Sequence, residues 1–113
     1  MILGVHAALA FNQSVLAGLY MSGSLDAMTW HGILGSALTA LVMLQAITAL
    51  LFWIPGRGPW WPLLASAVLF FVEGFQVGMG YARTLGIHVP LGVAIIAAVI
   101  AMFVWSLRWK PTR

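Results

Sequence analysis

The sequence contains no cysteine among its 113 residues. This absence excludes disulfide bonds, iron–sulfur clusters, thiolate zinc sites, covalently attached c-type haem and cysteine nucleophiles. Charge is also scarce, because only 6% of the residues are charged, whereas a soluble domain carries about 25%. The five Lys and Arg residues are too few for a nucleic-acid-binding surface, so we expect no nucleic-acid partner.

Apolar residues take the place of the missing charges. They make up 63% of the chain, and the mean hydropathy is +1.04. Soluble domains are about 45–50% apolar, so this composition excludes both a soluble globule and a disordered tail. The sequence predicts an integral membrane protein whose main partner is the lipid bilayer.

Four apolar stretches are each long enough to cross a bilayer, which needs about 20 residues per helix. They cover residues 2–23, 29–54, 60–81 and 86–107. The short breaks between them contain turn residues and force neighbouring helices to be antiparallel. We therefore predict an all-α integral membrane protein, a four-transmembrane-helix bundle forming one domain over the whole chain. The first span has no cleavage site ahead of it and is predicted to be a retained signal-anchor.

The basic residues predict the orientation of the bundle. Most of them fall in the loop between the second and third spans and in the C-terminal tail, namely Arg57, Arg108, Lys110 and Arg113. The positive-inside rule then places both termini in the cytoplasm, for a multi-pass protein of the cell (inner) membrane.

The second and fourth spans open with the same pattern, H-x-x-L-G-x-A. The two copies are His31–Ala37 and His88–Ala94, 57 residues apart. Both lie at the outer start of an even-numbered span. The repeat predicts two pseudo-symmetric helical hairpins in the same orientation, related by an approximate two-fold axis along the membrane normal.

This symmetry predicts a metal site. It places His31 and His88 at equal depth, where their imidazoles could approach one haem iron from opposite sides as axial ligands. Gly35 and Gly92 lie four residues further on the same faces and would leave clearance for the porphyrin. Zinc would need more ligands than two histidines. We therefore predict one haem b per chain, the alternative being interfacial histidines with glycines that serve helix packing.

Three other polar residues lie in or beside the spans. Glu73 is the only acidic residue within a span, where a charged carboxylate is costly. It is predicted either to handle a proton or contact a cofactor, or to tie the helices together through Asn12, Gln13 or Gln45.

Arg83 lies at the outer boundary, where it could bind a haem propionate or remain a solvated loop residue. His6 lies near the inner end of the first span, far in depth from the other two histidines. Because no partner is evident at its level, we predict a structural role for it.

The segments that carry these residues resemble the haem A synthase family. Met28–Gly35 is similar to that family's second-helix signature. Gln76–Arg83, followed by Ile87–Gly92, is similar to its third and fourth helices, which carry a Gln-x-x-x-Gly run and then a histidine that opens the next span. The resemblance covers nearly all of the chain, as one four-helix half of the usual eight-helix protein. Half-size members act as oligomers. It implies that His31 and His88 are paired haem ligands.

The chain departs from that family where its chemistry lies. The family pattern is Glu-x-x-His-Arg, and Met28 and Gly32 replace its glutamate and arginine here. The carboxylate implicated in oxidising the haem methyl group is therefore missing beside His31. The sequence favours a non-enzymatic, b-type haem protein that transfers electrons or serves as an accessory subunit of a respiratory or photosynthetic complex, as a homodimer or within a larger assembly.

Four alternatives remain at the level of sequence. The chain could be a half-size haem A synthase that uses Glu73 or a substrate-borne group, or a subunit in which each histidine binds a separate chlorophyll-type pigment. It could be a small multidrug-type proton-coupled transporter, because those proteins depend on a buried glutamate. It could also be a purely structural subunit, with every polar residue used in helix packing.

Overall fold

The fold is a bundle of four α-helices, seen in a computed structural model that describes residues 1–111. Arg113, one of the residues used to predict the orientation, lies outside this range. The helices are α1 (Ile2–Met21), α2 (Leu25–Trp53), α3 (Trp61–Tyr81) and α4 (Leu85–Arg108). All four are long and apolar enough to cross a membrane. The predicted four-helix membrane bundle is confirmed.

Two of the helices begin earlier than the apolar pattern predicts. α2 starts at Leu25 rather than at residue 29, and α4 starts at Leu85 rather than at residue 86. Asp26, expected in a loop, lies in the first turn of α2. A carboxylate in that turn interacts favourably with the positive end of the helix dipole, which hydropathy alone does not register.

The helices form a square in cross-section. α2 and α4 each pack against both α1 and α3, so α2 and α4 lie on one diagonal and α1 and α3 on the other. The bundle measures 54 × 22 × 20 Å. Val42 on α2 and Val99 on α4 are fully buried at its centre.

Most of each helix faces outward. Only 17–22% of the residues in each hydrophobic window are buried. The exposed residues include many large apolar side chains, with Phe71 at 73% exposure and Val93 at 63%. An apolar exterior of this extent is what lipid, rather than water, would cover.

The turns α1–α2 and α3–α4 have the same geometry. Each is a Schellman motif, with hydrogen bonds from Ser24 N to Leu19 O (3.1 Å) and from Thr84 N to Met79 O (3.0 Å). The left-handed position is occupied by Gly23 (φ 103°) in the first turn and by Arg83 (φ 55°) in the second. The turns thus repeat with a shift of 60 residues.

The interior of the bundle repeats with a different shift from its turns. Buried Leu38 and Val42 on α2 correspond to buried Ile95 and Val99 on α4 at a shift of 57 residues, the same shift that relates the histidines. The difference of three residues is about 4.5 Å along a helix. The first hairpin is therefore staggered outward by about one helical turn, and this stagger aligns the two histidines.

Candidate metal centre

The structure brings His31 and His88 together across a diagonal of the bundle. The two helices that carry them make no backbone packing contact with each other within residues 1–111, so the rings meet in the space between. The ring centres lie 6.0 Å apart, with 63° between the ring planes. Both residues are half-buried.

A glutamine on the preceding helix holds each histidine through two hydrogen bonds that run in opposite directions. In the first hairpin, Gln13 Nε2 donates to the backbone oxygen of His31 (3.1 Å), and His31 Nδ1 lies 3.1 Å from the backbone oxygen of Gln13. In the second hairpin, Gln76 Nε2 donates to the backbone oxygen of His88 (2.7 Å), and His88 Nδ1 lies 2.9 Å from the backbone oxygen of Gln76. We call these two arrangements the glutamine clamps.

The clamps determine which nitrogen of each ring carries the hydrogen. A backbone carbonyl oxygen only accepts hydrogen bonds, so Nδ1 of His31 and of His88 must be the donor. The Nε2 atom of each neutral ring then keeps its lone pair. A hydrogen bond from Nδ1 to a carbonyl oxygen is also the usual way in which a protein orients a metal-binding imidazole.

Gly35 and Gly92 make the clamps possible. A Cβ atom at Gly35 would lie 3.2 Å from Gln13 Nε2, and one at Gly92 would lie 2.7 Å from Gln76 Nε2. Each glycine is four residues after its histidine, where its own N–H reaches the histidine carbonyl in the helix. The glycine in H-x-x-L-G therefore leaves room for an amide to reach the same carbonyl. The predicted clearance for a porphyrin at these glycines stays a prediction.

Gly80 is a further residue that shapes the site. A Cβ atom there would lie 2.9 Å from Cε1 of His88, so a side chain on α3 would push directly against the ring. Gln76 and Gly80 thus form the Gln-x-x-x-Gly run, in which one residue holds the imidazole and the other makes space for it. The run is visible in the sequence, but these contacts depend on how α3 packs against α4.

Arg83 occupies the left-handed position of the second turn and is exposed. A non-glycine residue with this backbone conformation is uncommon. The predicted pairing of Arg83 with a haem propionate stays a prediction.

Glu73 and His6 lie together elsewhere in the bundle. His6 Nε2 is 3.0 Å from Glu73 Oε1, which joins α1 to α3 across the other diagonal. The expectation that His6 has no partner at its level is wrong, because the hairpin stagger and the length of the glutamate side chain bring the two groups into contact. Of the partners considered for Glu73, Gln45 takes part through His6, with its Oε1 2.8 Å from His6 Nδ1.

No larger cluster of metal-binding side chains is present within residues 1–111. Within residues 1–111 there is no group of three or more His, Cys, Asp or Glu side chains that could hold a metal ion by themselves. A metal at the histidine pair would therefore need further ligands from outside these side chains. Comparisons with models of protein families, with curated protein sequences and with solved structures found no match.

Proposed function

We propose that the protein is a membrane-embedded, b-type haem-binding protein in which His31 and His88 are the two axial ligands. The observation that carries this proposal is the pair of glutamine clamps, which leave an Nε2 lone pair unused by the clamp on each of two neighbouring rings. With no cysteine in the chain, the haem would be held without covalent attachment.

The separation of the rings fits one shared metal. Two metal–imidazole bonds of about 2 Å, with about 1 Å more from each nitrogen to its ring centre, span about 6 Å. The ring centres of His31 and His88 are 6.0 Å apart. The clamps carry more weight than the distance, since edge-to-face aromatic pairs also lie about 4.5–7 Å apart. The same short distance argues against two separate pigments, each with its own magnesium.

Held by both His31 and His88, a haem would supply one-electron chemistry, and the two histidines would leave no iron position open to substrate. Electron transfer is therefore favoured over haem A synthase activity, in agreement with Met28 at the position of the family's glutamate. We further propose that the protein is a multi-pass protein of the cell (inner) membrane with cytoplasmic termini, and that it assembles as a homodimer or as a subunit of a respiratory or photosynthetic complex.

The decisive experiment is an absorption spectrum of the detergent-purified protein, oxidised and reduced, after expression with added haem. We expect a sharp low-spin α-band on reduction and about one haem b per chain by pyridine haemochrome extraction. His31→Gly and His88→Gly should each lose the low-spin band, and added imidazole should restore it by filling the vacated ligand position. His6→Gln, which changes a histidine outside the pair, should retain it.

A colourless protein, or a haem spectrum unchanged in both glycine variants, would refute the proposal. Absorption in the red from an extracted magnesium pigment would instead support the pigment-binding alternative.

A further inference from the structure

A second polar cluster lies in the half of the bundle nearer the chain termini, apart from the histidine pair. It consists of His6 on α1, Gln45 on α2, and Ser66 and Glu73 on α3, and none of these residues is more than 5% exposed. Polar side chains buried this deeply in an apolar bundle are costly unless they bind one another or act on a ligand.

The hydrogen bonds of this cluster run in one direction. Ser66 Oγ donates to the backbone oxygen of Pro62 (2.7 Å) and accepts from Gln45 Nε2 (3.0 Å). With its amide nitrogen used in this way, Gln45 presents its oxygen to His6 Nδ1 at 2.8 Å. An amide oxygen only accepts, so Nδ1 of His6 must carry a hydrogen.

This arrangement makes the contact between His6 and Glu73 dependent on a proton. Since Nδ1 of His6 is already protonated, Nε2 carries only a lone pair in the neutral ring. An unprotonated Nε2 only 3.0 Å from a carboxylate oxygen is unfavourable, so a proton on Nε2 or on the Glu73 carboxyl group stabilises the contact. In both cases, imidazolium with carboxylate or neutral imidazole with carboxylic acid, the pair has no net charge, which suits an apolar interior.

Glu73 also keeps free capacity for a proton. Neither of its carboxyl oxygens takes a well-aligned hydrogen bond from any residue between 1 and 111, although both atoms are buried. The 3.0 Å contact with His6 is therefore an ion-pair distance without good N–H alignment. A buried carboxyl group that is so little constrained can change its protonation state without breaking an aligned bond.

No other charge lies in this part of the interior. The charged side chains of residues 1–111 are otherwise at helix ends or in loops. α2 presents Gln45 to the pair, and the buried residues of α4 are apolar, namely Ile95, Val99 and Met102. The protonation of His6 and Glu73 is thus governed by their mutual contact and by access to water.

A cavity brings water to the edge of this cluster, at Gln45 and Ser66, although His6 and Glu73 themselves do not line it. It has a volume of about 230 Å³ and lies at the end of the bundle that carries both termini, between Met1 on one side and Trp109 on the other. Gln45 and Ser66 are part of its lining, beside apolar and aromatic walls. A water molecule takes about 30 Å³, so several fit and can reach the hydrogen-bonded link that holds His6.

We infer that His6 and Glu73 form a proton-binding site that exchanges protons with water on the side of the membrane where the chain termini lie. The carboxyl group of Glu73 takes up or releases the proton, and His6, held by Gln45, stabilises the carboxylate form when its own ring carries a hydrogen on both nitrogens. This inference is independent of the haem proposal, since it uses none of the residues of the histidine pair.

Infrared titration of the full chain in lipid bilayers tests the site, because Glu73 is the only glutamate in the sequence. We expect a carboxylic acid C=O band that changes amplitude with pH, moves on exchange into D2O, and shifts on ¹³C-glutamate labelling of the unsubstituted chain. Glu73→Gln should abolish the band, and Asp26→Asn should leave it unchanged. A ¹³C-sensitive carboxyl signal that does not respond to pH would overturn the inference.

The absence of native cysteine allows a matched test of access. Ala49 lines the cavity and is 8% exposed, whereas Ala10 lies outside the cavity and is 3% exposed. The variants Ala49→Cys and Ala10→Cys therefore place a thiol at two comparably buried positions that differ in contact with the cavity. We expect a charged, water-soluble methanethiosulfonate to modify the cysteine of Ala49→Cys and not that of Ala10→Cys. Modification of Ala49→Cys should also slow the D2O exchange of the Glu73 carboxyl band by at least tenfold. Equal modification of both, or unaltered exchange after modification of Ala49→Cys, would contradict one-sided access.

Discussion

His88 and Gln76 are joined by two hydrogen bonds of opposite direction, 2.9 Å from the imidazole to the backbone of the glutamine and 2.7 Å from the amide to the backbone of the histidine. Both bonds cross from α3 to α4, so one residue pair fixes the orientation of the ring and also fastens the second hairpin. His31 and Gln13 repeat the arrangement between α1 and α2.

Gln76→Leu should weaken the hairpin and loosen the ring together. The backbone oxygen of His88 loses its extra donor, a change that costs about 1 kcal/mol for a typical hydrogen bond. We expect a lower midpoint of thermal unfolding in detergent and, if the histidine pair binds haem as proposed, a faster loss of that haem to an acceptor protein. Val93→Leu, at an exposed position, is the control. Equal rates of haem loss from Gln76→Leu and Val93→Leu would argue against a positioning role for Gln76.

Gly92→Ala should displace the Gln76 amide, because the added methyl group would lie 2.7 Å from Nε2. Gly78→Ala is a matched control, since a methyl group there meets nothing within 4 Å, and it should gain up to about 1 kcal/mol from helix propensity. Unfolding midpoints should therefore rank Gly78→Ala above the unsubstituted chain and Gly92→Ala below it. Gly35→Ala, with a 3.2 Å contact, should fall between the two alanine variants.

Arg83→Gly should stabilise the second turn. The backbone of Arg83 is left-handed (φ 55°), a conformation that costs a residue with a side chain about 1 kcal/mol or more and costs glycine little. Thermal unfolding should show a higher midpoint for Arg83→Gly than for Arg83→Ala, which retains the strain. If Arg83 binds a haem propionate, both variants should also shift the haem midpoint potential by a similar amount; a shift in neither would exclude that role.

Single cysteines should report the orientation of the bundle. Lys110→Cys, beyond the end of α4, should react with a membrane-impermeant maleimide only from the cytoplasmic side. Ser22→Cys, in the turn at the opposite end, should react only from outside. Labelling of intact cells and of inverted membrane vesicles distinguishes these cases, and the reverse pattern would show that the positive-inside rule fails for this chain.

The four spans could be predicted because hydropathy and turn residues determine them directly. The histidine pair could also be predicted, since a repeat at a fixed shift places equivalent residues at equivalent levels. The starts of α2 and α4 were harder to predict. Residues such as Leu25 and Asp26 begin a helix through interactions at the helix end, which an apolar pattern does not reveal.

The contact between His6 and Glu73 could not be predicted from spacing. Counted from the turns, the two residues lie at different levels, and only the stagger between the hairpins brings them together. The role of Gly35 was similarly hidden, because its significance depends on the position of Gln13, on another helix and 22 residues earlier in the chain. Local patterns predict elements, whereas the relative sliding of elements depends on how the side chains of all four helices fit.

The two polar sites connect different pairs of helices in the square cross-section. The His31–His88 pair spans the α2–α4 diagonal and the His6–Glu73 pair spans the α1–α3 diagonal. Each pair thus joins two helices that do not pack directly against each other within residues 1–111, so the polar contacts of the interior cross the bundle along both diagonals.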